Sequence, residues 1–353
     1  MENNNKTLNV PNLRFPEFSG EWEYHELQSI APKISSGKDK PNNEGTVVLY
    51  GSTGIMGHTT TESYKSEIVI VARVGANAGQ LQLVDIPCGV TDNALVVDAK
   101  SWNKYVFYYL QHFNLNKLVF GSGQPLITGG MLKKIKIWAG NNVERNKIVH
   151  LLSLMEERVD TQKKVIEDLK RLKYAISKRV FENHGSSNSM FLGKVADIYQ
   201  PQTIPTSWLN DTLQYPVYGA NGVIGKYSEY NHENSQICIA CRGNTCGTVN
   251  YSEPKSWITG NAMVINTDRY DVNKRFLFHQ LCTVNYSPLI SGSGQPQIVR
   301  APLEKMKIWF PNKDVQERIA TLLDTIEDRI LIEETALVLI GKTKQYILSQ
   351  MFI

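Results

Sequence analysis

Cys238, Cys241 and Cys246 are the first candidates for chemistry, because a C-x2-C spacing commonly opens a zinc site. No second cysteine pair follows them, and their counterparts one repeat earlier are Ile70, Arg73 and Ala78. Buried strand cysteines are the better reading, and no metal is expected. Gly341-Lys342-Thr343 echoes the end of a phosphate-binding loop, but Ala336 stands where that loop needs its first glycine. The HExxH, EF-hand and GxSxG patterns do not occur. The expectation is a chain with no catalytic residue. Two glycine-rich motifs remain, and each occurs twice. YGSTGIMG (50–57) matches YGANGVIG (218–225), and GSGQP recurs at 121–125 and 292–296. The first opens no obvious helix, so it reads as a tight turn needing positive φ, or as a loop whose backbone approaches a ligand. In the second, Ser122, Gln124, Ser293 and Gln295 are residue types that bond phosphates or base edges. The alternative there is a loop packed on the start of a helix.

What holds these motifs is a duplicated unit. The YGxxGxxG pair is offset by 168 residues, as are Ala72/Ala240, Gly75/Gly243, Gly79/Gly247 and Asn93/Asn261. GSGQP, Lys136/Lys307 and Trp138/Trp309 are offset by 171. Each copy ends in a long stretch without proline, one from Val143 to Phe181 and one from Gln316 onward, long enough for helices of roughly 60 Å. Their apolar residues climb in alternating steps of four and three, as in Ile148, Leu152, Met155 and Val159, or Ile319, Leu323, Ile326 and Ile330. A seam this sustained predicts a coiled coil rather than two separate amphipathic helices. Polar residues interrupt the seam at Gln162 and Lys173, and at Glu333 and Lys344. An antiparallel register that stacks Lys173 on Glu333, Gln162 on Lys344, Met155 on Met351 and Val159 on Ile347 gives them partners, and such pairs set register.

The fold class that follows is α+β: two β-rich domains separated by two long helices in an antiparallel coiled coil, with an internal pseudo-two-fold repeat. The expected boundaries are a lead at 1–14, a first domain at 15–141, a central helix at 142–183, a linker at 184–190, a second domain at 191–312 and a terminal helix at 313–353. At 42% hydrophobic and 20% charged, the 353 residues suit a soluble protein of two or more domains. No apolar run of about eighteen residues and no signal-peptide h-region is seen, and the five cysteines fit a reducing cytoplasm. The net charge of +4 is compatible with a polyanionic partner but too mild to identify one.

Taken together, RFPEFSGEWE near the start, the paired YGxxGxxG and GSGQP motifs, and helices ending ISKRVF and LSQMF resemble the DNA-specificity subunit of type I restriction–modification enzymes. The resemblance covers nearly the whole chain in the family's order of target-recognition domain and helix, twice. It implies that each target-recognition domain reads one half of a split, asymmetric site in double-stranded DNA, with the helices setting the gap. It also implies two methyltransferase subunits, which use S-adenosylmethionine, and two restriction subunits, which use ATP and magnesium. No cofactor and no membrane is implied for this chain. The rival readings are a structural adaptor that binds only protein and a nuclease with an unrecognised site.

The two half-sites differ, so residues shared by both copies should carry backbone positioning and residues that differ should read bases. The shared candidates are Gly51, Gly54, Gly57, Ser122 and Gln124, with Gly219, Gly222, Gly225, Ser293 and Gln295. The base-reading candidates are His58, Thr59, Thr60, Lys65, Arg73 and Asn77 in the first domain. In the second they are Asn221, Lys226, Tyr227, Arg242, Asn244 and Thr245.

Overall fold

The computed structural model describes residues 9–119, 125–182, 188–292 and 294–353. Its contacts divide the chain into two units, one running to Lys163 and resuming at Thr335, the other spanning Lys164–Glu334. Each unit is α+β and combines one β-rich domain with part of both long helices.

The first domain contains β1 (Glu23–Glu26), α1 (Leu27–Ile30), β2 (Lys33–Ser36), β3 (Val47–Gly51), β4 (Gly54–Thr59) and β5 (Ile68–Ala72). It continues through β6 (Leu81–Val84), β7 (Cys88–Val90), β8 (Ala94–Asp98), α2 (Asn103–Phe113), α3 (Gly129–Lys133) and β9 (Lys136–Ala139). The strands form a four-stranded sheet in the order β2-β8-β5-β6, a three-stranded sheet in the order β4-β3-β7, and the pair β1-β9. The sequence IVIVA of β5 has no polar face, which marks a strand covered on both sides. Val69 and Val71 face a core with α2, whereas Ile68 and Ile70 face Val90, Val96 and Tyr50 in a second layer. Asn114, in the left-handed region at φ 58°, ends α2.

The long helix α4 (Asn142–Glu182) leads into the second domain. There β10 (Ser189–Phe191), β11 (Asp197–Tyr199), β12 (Tyr215–Gly219), β13 (Gly222–Tyr227), β14 (Ile237–Ala240) and β15 (Val249–Tyr251) come first. Then follow β16 (Trp257–Ile258), β17 (Ala262–Asn266), α5 (Lys274–Leu281), α6 (Arg300–Glu304), β18 (Lys307–Trp309) and the closing helix α7 (Lys313–Met351). The orders β11-β17-β14-β15 and β13-β12-β16, with β10-β18, reproduce the first domain strand for strand. One boundary shifts from expectation. Strand β10 begins at Ser189 within the segment assigned to the linker, because it pairs with β18; residues 184–187 of that linker lie outside the described residues.

Within each unit the two long helices lie antiparallel. In the first, Lys344 binds Glu156 at 2.6 Å, while Met351 and Phe352 enter the core with Ile148 and Leu152. In the second, Lys173 binds Glu327 at 3.1 Å and Lys170 binds Glu334 at 2.6 Å. The lysines that interrupt the seam are therefore used, but with partners six positions from the expected Gln162 and Glu333. Glu156 and Glu327 flank the apolar ladder instead of sitting in it, which lets a long lysine side chain reach a carboxylate without placing both charges in the seam. The two pairs occupy repeat-equivalent positions, since both Glu156/Glu327 and Lys173/Lys344 are 171 apart.

Each pair also seats its domain's helix. In the first unit the Tyr108 hydroxyl of α2 donates to Glu156 at 2.7 Å and lies 3.2 Å from Ser153. In the second, Arg275 of α5 binds Asp324 at 2.6 Å and Glu327 at 2.5 Å, and His279 lies 2.7 Å from Asp324. His279, Asp324 and Glu327 thus bring three metal-ligating atoms within 4.8 Å of one another, but Arg275 and Lys173 already balance both carboxylates. The cluster is an ion-pair knot. Burial opposes ionisation of Asp324 and Glu327, yet Arg275 with His279, and Lys173 with Arg275, hold the two carboxyls below their usual range. Burial also lowers the pKa of His279, partly offset by Asp324.

Two predictions follow from these seats. All three shifts leave the unfolded chain binding more protons than the folded one, so the stabilisation is present at neutral pH and lost on acidification. The loss should begin below the ordinary histidine value of 6.5 and deepen as the pH falls through 4.5 and 3.8 towards the lowered carboxyl values. In pH-dependent denaturant unfolding, Asp324→Asn should flatten the acid limb; an unchanged limb would contradict the knot. Phe352 is buried, with its ring 5.4 Å from Tyr105 and 5.5 Å from Tyr109. Phe352→Ala should cost about 3 kcal/mol in the same measurement.

Candidate nucleic-acid interface

The repeated motifs meet at one end of each domain's four-stranded sheet. In the first domain β5 ends at Ala72, and the backbone N–H of Arg73 donates to the Asn93 carbonyl at 3.0 Å. The next residues make a turn in which Gly75 N–H donates to Pro125, the last residue of the first GSGQP, at 3.0 Å. Ile127 N–H closes the join by donating to the Arg73 carbonyl at 2.9 Å. The β3–β4 hairpin reaches the same place. Its Ser52 hydroxyl donates to the Asn93 carbonyl at 2.7 Å, and the Gln82 amide donates to the Gly51 and Ser52 carbonyls at 3.0 and 3.2 Å.

The second domain repeats the backbone bonds of this scaffold, though Ala220 stands where Ser52 does and makes no such tie. Cys241 N–H donates to Asn261, Gly243 N–H to Pro296 and Ile298 N–H to the Cys241 carbonyl, each at 3.0 Å. The YGxxGxxG hairpins also agree. Gly51 faces Gly54 and Gly219 faces Gly222 across two-residue loops, and each hairpin carries a bulge, at Met56 and at Ile224. Gly54 (φ 127°) and Gly222 (φ 95°) take the positive φ that each turn needs. Ser122, Gln124 and Ser293 lie outside the described residues, while Gln295 is exposed.

On this shared backbone the side chains differ. Arg73 occupies the position of Cys241, and Arg242 that of Val74, so the arginine moves by one residue between the copies. In extended chain a one-residue step turns a side chain to the opposite face. Arg73 is half-buried, with Nη1 3.3 Å from the Ser36 hydroxyl and its Nε buried without a partner among the described residues. Arg242 and Asn244 are exposed, and among the described residues Arg242 forms no ion pair. Cys238 lies between the two sheets with its thiol pushed up by burial to about 12, and buried Cys241 accepts from the Gln200 amide at 3.1 Å. Neither thiol presents itself to a ligand.

The other expected base readers divide. Asn77 belongs to the cluster, with its carbonyl oxygen accepting from the Gln80 amide at 2.9 Å; Asn221 sits exposed in the hairpin turn, and Thr245 lies in the loop beside Asn244. His58, Thr60 and Lys226 are exposed but lie along or beyond the hairpin strands away from the turn, and Lys65 precedes β5, whose other end carries Arg73. Thr59 is a correction. It is 3% exposed, because pairing with Val47 at the end of β4 turns its side chain inward towards Gly89. Tyr227 is half-buried, its ring stacked on exposed Trp208 at 6.0 Å and meeting Trp257 edge-on at 5.4 Å. Sequence reasoning missed the exposed apolar pairs Ile55–Met56 and Val223–Ile224 beside the hairpin turns. They stood inside the repeated motif, where apolar residues in strands are ordinarily read as core.

Each domain is thus two packed sheets with looped, polar, glycine-turned ends, duplicated together with its helix. The family model for the type I restriction modification DNA specificity domain matches residues 19–171 and again 186–340. The chain belongs to that family. It is 24% identical over 177 residues to the type I restriction enzyme EcoprrI specificity subunit of Escherichia coli, covering 50% of this chain and 38% of that one. The chain therefore spans well under half of that curated relative, and a similar share, 36%, of a second from Haemophilus influenzae. Its fold is that of the type I restriction–modification S subunit from M. genitalium, at 16% identity and a TM-score of 0.71 over 98% of this chain and 99% of the other. A chain from a structure of type I system assembly and conformational transition matches with a TM-score of 0.57 at 17% identity, over 94% and 97%. Among the described residues no helix is long and apolar enough to cross a membrane.

Because Thr59 is buried, Thr59→Ala should leave any discrimination between DNA sequences unchanged while costing about 1 kcal/mol of stability. Comparing variant and wild type by competition binding and denaturation checks both; altered sequence preference would return Thr59 to the interface.

Proposed function

We propose that this chain is the DNA-binding specificity subunit of a type I restriction–modification complex. Each recognition domain reads one half of a bipartite, asymmetric site in double-stranded DNA, and the paired helices set the gap. The subunit recruits two methyltransferase and two restriction subunits and performs no catalysis itself; S-adenosylmethionine, ATP and magnesium act in those partners. The observation that carries this reading is the duplicated loop cluster, identical in backbone bonding and different in the side chains it exposes. A common backbone suits a common duplex, and differing polar side chains suit different bases.

Assembled with its methyltransferase partner, the protein should bind duplex DNA with an affinity that falls linearly in log–log form as salt rises. Binding that is absent, or indifferent to salt, would instead favour a protein adaptor. Within that assay Arg242→Ala should weaken discrimination in one half-site by about 1–3 kcal/mol. Equal weakening on every sequence, with a shallower salt slope, would assign Arg242 to phosphate.

A further inference from the structure

We propose that the two hairpin tips are apolar wedges, pressing Ile55 and Met56 in one domain, and Val223 and Ile224 in the other, against the base pairs of bound DNA. The proposal rests on the DNA-binding reading above. These four side chains are 64%, 56%, 54% and 46% exposed, although each domain has an apolar core available to it. Single exposed hydrophobic residues are ordinary on protein surfaces. Here the same two adjacent positions are exposed in both copies, and the backbone is built to present them. A bulge at Met56 and at Ile224 breaks the strand alternation, so neighbouring residues that would otherwise point to opposite faces are both left at the surface. The glycines opposite make room: a Cβ on Gly51 would stand 2.5 Å from Met56 Cγ, and one on Gly219 would stand 2.9 Å from Ile224 Cγ2.

The occupant is argued from place and size. The first hairpin turn is tied through Ser52 to the Asn93 carbonyl that also holds Arg73, and so stands in the same cluster as the polar loops. The second domain has the same hairpin and adds exposed Arg242 and Asn244. Apolar side chains beside arginine and asparagine are a composition with which proteins press into DNA grooves, and a two-stranded ribbon has the width to enter one. Two side chains make a patch far smaller than the roughly 1,200–2,000 Å² of a specific protein–protein interface. Apolar wedging between base steps needs no particular hydrogen-bond pattern, which suits a feature common to both half-sites.

The test uses the complex assembled with its methyltransferase partner and a duplex carrying the site found by methylation mapping. Ile55→Ser with Met56→Ser, and separately Val223→Ser with Ile224→Ser, are compared with wild type across a salt series. Each double variant should lose roughly tenfold to a hundredfold in affinity with the log–log salt slope unchanged, because apolar contacts release no counterions. The conservative pair Ile55→Val with Met56→Leu should keep wild-type affinity. The proposal fails if the serine variants bind as wild type, if their salt slope changes with the loss, or if they no longer assemble with the methyltransferase. A wild-type complex that does not bind DNA would overturn the parent reading and this one together, whereas normal wild-type binding with unimpaired variants overturns the wedge alone.

Discussion

The structure depends on one ion pair made twice. Glu156 with Lys344, and Glu327 with Lys173, join the long helices at positions related by the repeat. A heptad seam of leucine, isoleucine and valine specifies that two helices meet but distinguishes poorly between registers, because a slip of seven residues again places apolar on apolar. A lysine within the seam removes that freedom. Lys344 is 16% exposed and Lys173 22%, so a register without a carboxylate in reach would leave a largely buried ammonium unpaired. The same carboxylates then receive Tyr108 from the first domain and Arg275 from the second. Helix register and domain seating are thereby one problem with one solution.

The seats differ chemically although the positions correspond. The first is built from a tyrosine and a serine, the second from an arginine, a histidine and a second carboxylate. The interface end shows the same division. Backbone bonds from Gly75 and Gly243 to Pro125 and Pro296 are equal in length, whereas Arg73 turns to Ser36 and Arg242 to solvent. Duplication has kept what positions the loops and changed what the loops present.

Much of this is legible in the sequence. The repeat spacing announced two equivalent domains, and the absence of proline with the four–three ladder announced both helices. What was not legible lay in tertiary geometry. Glu156 and Glu327 were passed over because the ladder draws attention to residues inside the seam, and these carboxylates, which pair with its lysines, stand beside it. Thr59 was misjudged because its polar atom suggested solvent, while strand pairing turned it inward. The exposed Ile55 and Met56 were passed over for the converse reason, since only the bulge reveals that both remain at the surface.

The most direct test of the whole account is single-molecule methylation sequencing of a host that expresses the methyltransferase partner, with and without this gene. The account predicts a split, asymmetric, adenine-methylated motif that appears only when the gene is present, its two halves assignable to the two domains. An unchanged methylation pattern, with the partner shown to be expressed and bound to this chain, would contradict it.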